Sequence, residues 1–411
     1  MLIKLEKLIV YFYFLFLMGF NASILVPVDR VGTVTGSNVL YSLSWFVIYT
    51  CIIFLFFKSK PKFNLKIYII YSLVAFHFMS SAWSLQPSRS ILYSVSFLNN
   101  IVFVHYLFSR FNLIQIVDMM LKSIITIVTL SLLFWIVDYQ VVYYFDVHSR
   151  SNFLGTQPIR GFFNHKIPAS VVASIAIIMS IFVEKLKIKY VTISIMLFFV
   201  LLTGSSSGVA VFCLGIGYYI YTGLCIKIGL PTPKYILTTC LIITILFLTY
   251  YKFGEDFLIL LNRDPTLTGR TILWAWGVET GQENPIFGWG YFGYFGSILS
   301  GNVAETYVEF ANYDVPHFHN SFIQMFVDSG GLYTLSFILM IIYVARKSYR
   351  LALEGNNIFK LISVLNAMIF FASFIMLTYL RYNDFITVMF FIYLYGVLNF
   401  KEVHKDEKFL S

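Results

Sequence analysis

Two sets of residues in this 411-residue chain could move a proton and hold an anion. In the first, His319 is followed by Asn320, Gln324 and Asp328. The last three repeat at i, i+4 and i+8 and therefore share one helix face. An imidazole titrates near neutrality, which suits it to take a proton from a hydroxyl. An acid inside an apolar stretch is costly and normally faces a bundle interior or a water-filled cavity. In the second set, Arg160 precedes Gly161 and Arg270 follows Gly269. A guanidinium is always charged and presents a fork of donors matched to phosphate. Two of them beside a histidine would suit a diphosphate leaving group. Arg263 and Arg381 are weaker candidates for that job, and Asp384 offers Arg381 a simple ion-pair partner. The plainer alternatives are a histidine that only hydrogen-bonds and arginines that lie at an interface.

Between these sets runs Ile286-Phe-Gly-Trp289-Gly-Tyr-Phe-Gly-Tyr-Phe-Gly296, in which glycines alternate with aromatics. Flat faces there, Trp289 among them, could stack on sugars or rest on lipid headgroups. No Gly-Lys-Ser/Thr follows, so nucleotide binding is unsupported. His317 and His319 lack a third ligand at a fitting spacing, so no metal is expected. The four cysteines lie in apolar runs and read as small buried hydrophobes.

These residues sit in a chain that is 59% hydrophobic, 19% aromatic and only 12% charged. Its mean hydropathy is +0.79. Such a composition excludes a soluble globular enzyme, a disordered chain and a disulfide scaffold, leaving an all-α polytopic membrane protein. Twelve apolar stretches are candidates to cross: 7–27, 39–57, 66–84, 91–109, 117–137, 167–184, 190–204, 208–226, 234–252, 321–345, 359–380 and 383–400. With the N-terminus placed in the cytoplasm, 20 of the 29 lysines and arginines fall on the cytoplasmic side. Both termini are then inside, and the basic balance of +9 is a topology signal rather than a nucleic-acid footprint. The chain reads as one membrane domain over 1–411, with a large outer loop at 253–320 between the ninth and tenth crossings. Within that loop, residues 271–280 predict a short helix stopped by Gly281.

The motifs resemble those of the bacterial O-antigen ligase and O-antigen polymerase family. His319-Asn320, a nine-residue spacer and Gly330-Gly-Leu-Tyr333 are similar to the family's most specific signature. Gly269-Arg270 with Asn284-Pro285-Ile-Phe-Gly288-Trp-Gly290, Arg160-Gly161-Phe-Phe-Asn-His165-Lys166, and Ser81-Ala-Trp83-Ser84-Leu-Gln-Pro87 resemble three further elements in the right order. One departure is Ser206, where many members carry arginine.

The resemblance implies a GT-C-like membrane-embedded glycosyltransferase that uses no metal or other cofactor. Its donor would be a glycan on undecaprenyl diphosphate, reached from the periplasmic face of the inner membrane. His319 would be the base, and Arg270 and Arg160 would hold the diphosphate. Asn320, Gln324, Arg263, Trp289 and Lys166 would contact substrate. Polymerisation of lipid-linked repeat units is the expected reaction, with a chain-length regulator as a further candidate partner. Transfer of the glycan to lipid A–core as a ligase is the first alternative, and a lipid-linked sugar transporter or flippase is the second.

Overall fold

A helix lies over each of these apolar stretches in the computed structural model, which describes residues 2–26, 38–144, 151–182, 189–260, 269–301 and 316–407. The first half contains α1 (Leu2–Leu17), α2 (Phe20–Leu25), α3 (Val39–Ser59), α4 (Leu65–Ser80), α5 (Pro87–Arg110), α6 (Leu113–Val137) and the single turn α7 (Tyr139–Val142). The second half contains α8 (Lys166–Phe182), α9 (Lys189–Leu202), α10 (Ser206–Lys227), α11 (Thr232–Leu260), α12 (Arg270–Glu283), α13 (Ser321–Leu353), α14 (Asn357–Ala372) and α15 (Phe385–Glu407). No strand forms among the described residues; Tyr143 and Ile159 make one isolated bridge. Helix is the expected outcome for segments that must satisfy their backbone groups internally.

Among the described residues, six helices, α3, α5, α6, α10, α11 and α13, are long and apolar enough to cross a membrane. The helices α4, α8, α9, α14 and the Phe385–Phe400 part of α15 are apolar but shorter. The first apolar stretch is broken at Gly19, which has φ 98 and lies against Asn164; a Cβ there would sit 2.2 Å from the Asn164 side chain. The centre of the bundle is formed by α8, buried from Ala169 to Ser180, and α15, buried from Asp384 to Asn399. By contrast, α11 buries none of its apolar window and presents it all round, as a lipid-facing helix would.

Three departures from the sequence expectation bear on the site. First, α12 runs past Gly281 to Glu283. Gly277 and Gly281 are there for close approach: a Cβ on either would lie 2.3 Å from Ile323 or Phe326 of α13. Second, the stretch expected as one crossing over 359–380 stops at Ala372, and 373–384 is irregular, with Leu380 and Asn383 at φ 58 and 49. Its backbone is taken up by Ser321 at the start of α13. Ser321 N–H donates to Ser373 O (2.8 Å), and Ser321 Oγ accepts from Thr378 N–H (2.9 Å) and donates to Met376 O (3.0 Å).

Third, α13 is broken at Gly330, which has φ 79 and ψ 173. Only glycine adopts that region readily. The break frees backbone groups, and residues 285–290 satisfy them. Trp289 N–H donates to Val327 O (2.8 Å), Gly290 N–H donates to Asp328 O (3.0 Å), and Gly331 N–H donates to Pro285 O (2.7 Å). The same loop is gripped from the other side by the 83–86 turn, through Leu85 N–H to Trp289 O and Gln86 Nε2 to Phe295 O. A Cβ at 330 would lie 2.0 Å from Ile286 O. Gly330→Ala is therefore expected to lower stability by about 3 kcal/mol, from overpacking and backbone strain together. A thermal melt of the detergent-solubilised protein checks this, and an unchanged melting temperature would contradict the described packing.

Candidate active site

The residues just before α13 are held from three directions. Asn320 caps the helix: its Oδ1 accepts from Phe322 N–H (3.0 Å) and Ile323 N–H (3.2 Å). The Phe318 carbonyl accepts from the Trp274 indole of α12 (3.0 Å), and the Phe318 N–H donates to Gln324 Oε1 (3.1 Å). The His319 N–H donates to His317 Nδ1 (3.1 Å), which leaves the proton of a neutral His317 on Nε2. His319 is thereby fixed at φ 52, a conformation a non-glycine residue holds only when its surroundings impose it. The two imidazoles meet edge to face, with centroids 4.3 Å apart. His319 Nε2 is buried and finds no hydrogen-bond partner among the described residues.

The positive charges around this pair come from separate parts of the chain. Arg270 opens α12 after Gly269, which has φ 78, and its guanidinium donates to Ile375 O (3.2 Å) in the irregular segment. Arg381 lies further along that segment. His165, just before α8, accepts the Ile167 N–H at Nδ1 (3.1 Å) and meets Tyr144 OH through Nε2 (3.0 Å). All three lie close enough to act electrostatically on both His317 and His319. Desolvation is the largest influence on each ring. It lowers His317 to about 3, assisted by Arg381, Arg270 and His165. It lowers His319 well below the usual histidine value, assisted by His317, Arg270, His165 and Arg381. At neutral pH both rings are therefore neutral, and His319 carries an available lone pair.

A stability prediction follows with a definite sign. The folded-state values of both rings are depressed, so their contribution is complete above the unfolded histidine value of about 6.5. As pH falls below that value the unfolded chain takes up protons that the folded chain refuses. Stability is then expected to decline by at most about 1.4 kcal/mol per pH unit for each ring, reduced by their partial exposure. Melting temperatures from pH 7 to pH 5 test it. A decline unchanged in His317→Asn/His319→Asn would assign the acid sensitivity elsewhere.

The other expected site residues fall as follows. Arg160 is 1% exposed, and its guanidinium donates to Ser23 Oγ (2.9 Å) and to the carbonyls of Phe163 (2.9 Å), Gly161 (3.2 Å) and Val141 (3.2 Å). It ties α2 and α7 to the loop before α8. Lys166 is buried with its ammonium 4.9 Å from the centre of the Tyr144 ring. The Trp289 indole donates to Thr280 O (2.9 Å), and both polar atoms of Gln324 are used within the protein. Arg263 lies outside the described residues. The aromatics at 291, 292, 294 and 295 are buried, and Tyr291 stacks on His77 at 3.9 Å, so these faces pack inward instead of opening to a sugar.

The structure thus brings together His319, Arg270 and, from positions the sequence weighted less, His317, His165 and Arg381. The signal for His165 was its place in the Arg160–Lys166 motif. Arg381 fell between the expected crossings 359–380 and 383–400, as a weaker candidate for holding phosphate.

Residues 191–338 match the family model described as O-antigen ligase. Over 133 residues the chain is 29% identical to the exopolysaccharide production protein ExoQ of Rhizobium meliloti (strain 1021). That alignment spans 30% of each protein, so the chain covers less than a third of this relative's length. Arg270, Trp289, His319 and Gln324 lie within the family match; Arg160, His165 and Arg381 lie outside it.

Proposed function

We propose, from the match of residues 191–338 to the O-antigen ligase family, that this chain is a membrane enzyme that joins glycan units. Its reaction is polymerisation of repeat units carried on undecaprenyl diphosphate. The observation that carries the reading is the buried Nε2 of His319, which has no hydrogen-bond partner among the described residues and is framed by two guanidinium charges.

In this reading His319 Nε2 removes the proton from the acceptor hydroxyl as its oxygen attacks the anomeric carbon of the donor. The bond from that carbon to the diphosphate oxygen breaks, and the electron pair leaves with the diphosphate. Arg270 holds the departing charge. Arginine can neutralise it without a metal. Before the donor binds, burial first and then the neighbouring charges, Arg270 and Arg381 among them, keep the imidazole from taking a proton. A bound diphosphate offsets those charges, so His319 becomes a stronger base when substrate is present. Arg160 shapes the loop that carries His165 and has no direct place in this scheme.

The same scheme needs the site on the periplasmic side of the inner membrane, with both termini in the cytoplasm, which is what the distribution of lysine and arginine supports. Polymerase is preferred to ligase because the aligned relative is named for exopolysaccharide production. The two differ in acceptor. Purified protein given a defined undecaprenyl-diphosphate oligosaccharide should form longer lipid-linked chains without lipid A–core. Product that forms only when lipid A–core is added would make it a ligase instead.

One observation favours transport: α13 is broken at Gly330, early in the helix and beside the buried acid Asp328. The freed backbone groups at that break are, however, satisfied by the 285–290 loop. Flipping of labelled lipid-linked sugar by vesicles holding the purified protein, with no new glycosidic bond, would establish the transporter.

A further inference from the structure

Gln324 looks from sequence like a substrate ligand, because it lies one turn below the histidine on a polar helix face. In the folded chain it is 4% exposed and both ends of its amide are engaged. Oε1 accepts the Phe318 N–H at 3.1 Å, and Nε2 donates to Asp328 Oδ2 at 3.0 Å. Asp328, 3% exposed, lies one turn further on. The peptide that leads into His319 is therefore fixed on both sides, by Gln324 at its N–H and by the Trp274 indole at its carbonyl. That peptide must be fixed, because His319 is held at φ 52 and a looser loop would relax towards ordinary backbone.

We propose that Gln324 is a positioning residue for His319 and that Asp328 sets which way the Gln324 amide faces. An amide is nearly symmetric in shape but not in chemistry. With Oε1 towards Phe318 it accepts the peptide N–H; turned over, it would put two donors face to face. The Asp328 side chain accepts at Oδ2 and so selects the first orientation. This inference rests on the reading of His319 as the base, but it extends the machinery two helical turns below that residue and gives Asp328 a role without substrate contact.

The test uses full-length protein in nanodiscs with an undecaprenyl-diphosphate oligosaccharide, and has two readouts. One is the split between kcat and donor KM. The other, independent of turnover, is the rate at which diethyl pyrocarbonate modifies His319, followed by peptide mass spectrometry. Gln324→Leu is expected to lower kcat about 10²-fold with little change in KM, the loss typical of a slightly misplaced catalytic group, and to change the modification rate. Asp328→Asn, whose Oδ1 still accepts from Gln324, should keep most of the turnover, whereas Asp328→Leu should lose it. The exchange Gln324→Glu/Asp328→Asn keeps both hydrogen bonds, with the carboxylate now accepting from Phe318 and from Asn, and should recover much of what Gln324→Leu loses.

Three results would overturn the proposal. They are a rise in KM alone for Gln324→Leu, equal losses for Asp328→Asn and Asp328→Leu, and an unchanged modification rate. If the wild type forms no product but Gln324→Leu still alters His319 modification, the positioning stands and the polymerase reading falls.

Discussion

Replacing His319 with asparagine is expected to cut polymer formation by about 10³-fold, the middle of the range for removing a general base. Asparagine is the informative substitution because it tolerates positive φ, so the loop keeps its shape while the lone pair at Nε2 is lost. The N–H of residue 319 can still donate to His317 Nδ1, and the peptide before it keeps its bonds to Trp274 and Gln324. Melting temperature and membrane level should therefore remain near wild type while turnover falls. The measurement is product chain length from purified protein beside a thermal melt. Full turnover in a folded His319→Asn protein would remove the histidine from the mechanism.

The two arginines that looked alike in the sequence should separate under substitution. Arg270→Ala is expected to lower turnover by about 10²–10³-fold, the usual cost of losing a donor aimed at developing negative charge. Lysine should restore little, because a point charge cannot reproduce the fork. The protein should still accumulate, since a single charged hydrogen bond such as that from Arg270 to Ile375 O is worth about 1.5–3 kcal/mol to the fold. Arg160→Ala should show the reverse pattern. It strips a hydrogen-bond partner from Ser23 and three carbonyls in a buried site, costing about 3 kcal/mol of stability. Low membrane levels with normal turnover per molecule are the expected signature. Comparable turnover losses per folded molecule in both variants would return Arg160 to the catalytic set.

The contrast shows what the sequence could convey. Apolar length marked where helices lie, because a helix satisfies the backbone groups of an apolar segment from within it. The His319-Asn320 pair and Gly269-Arg270 were visible because residue type and spacing alone define them. Which distant segments would be brought beside them was not. Residues 373–384 contain neither glycine nor proline, so nothing local announces a broken helix there. The break is imposed by Ser321, more than fifty positions earlier. Likewise, Gly281 read as a helix stop, whereas its role is to let Phe326 approach α12. The alternation of glycine and aromatics suggested an open sugar platform; the glycines instead bring the loop against Ser84 and the α13 break.

The grip of Arg270 and Ser321 on residues 373–378 also sets an order of assembly. As the chain is made, α12 and the His319 loop emerge before the segment that steadies them has been synthesised. Until α14 and α15 are inserted, the histidine has neither Arg381 beside it nor the carbonyl that orients Arg270. If His319 is the base proposed above, a nascent chain would be inert, and competence would arrive only with the last pair of helices.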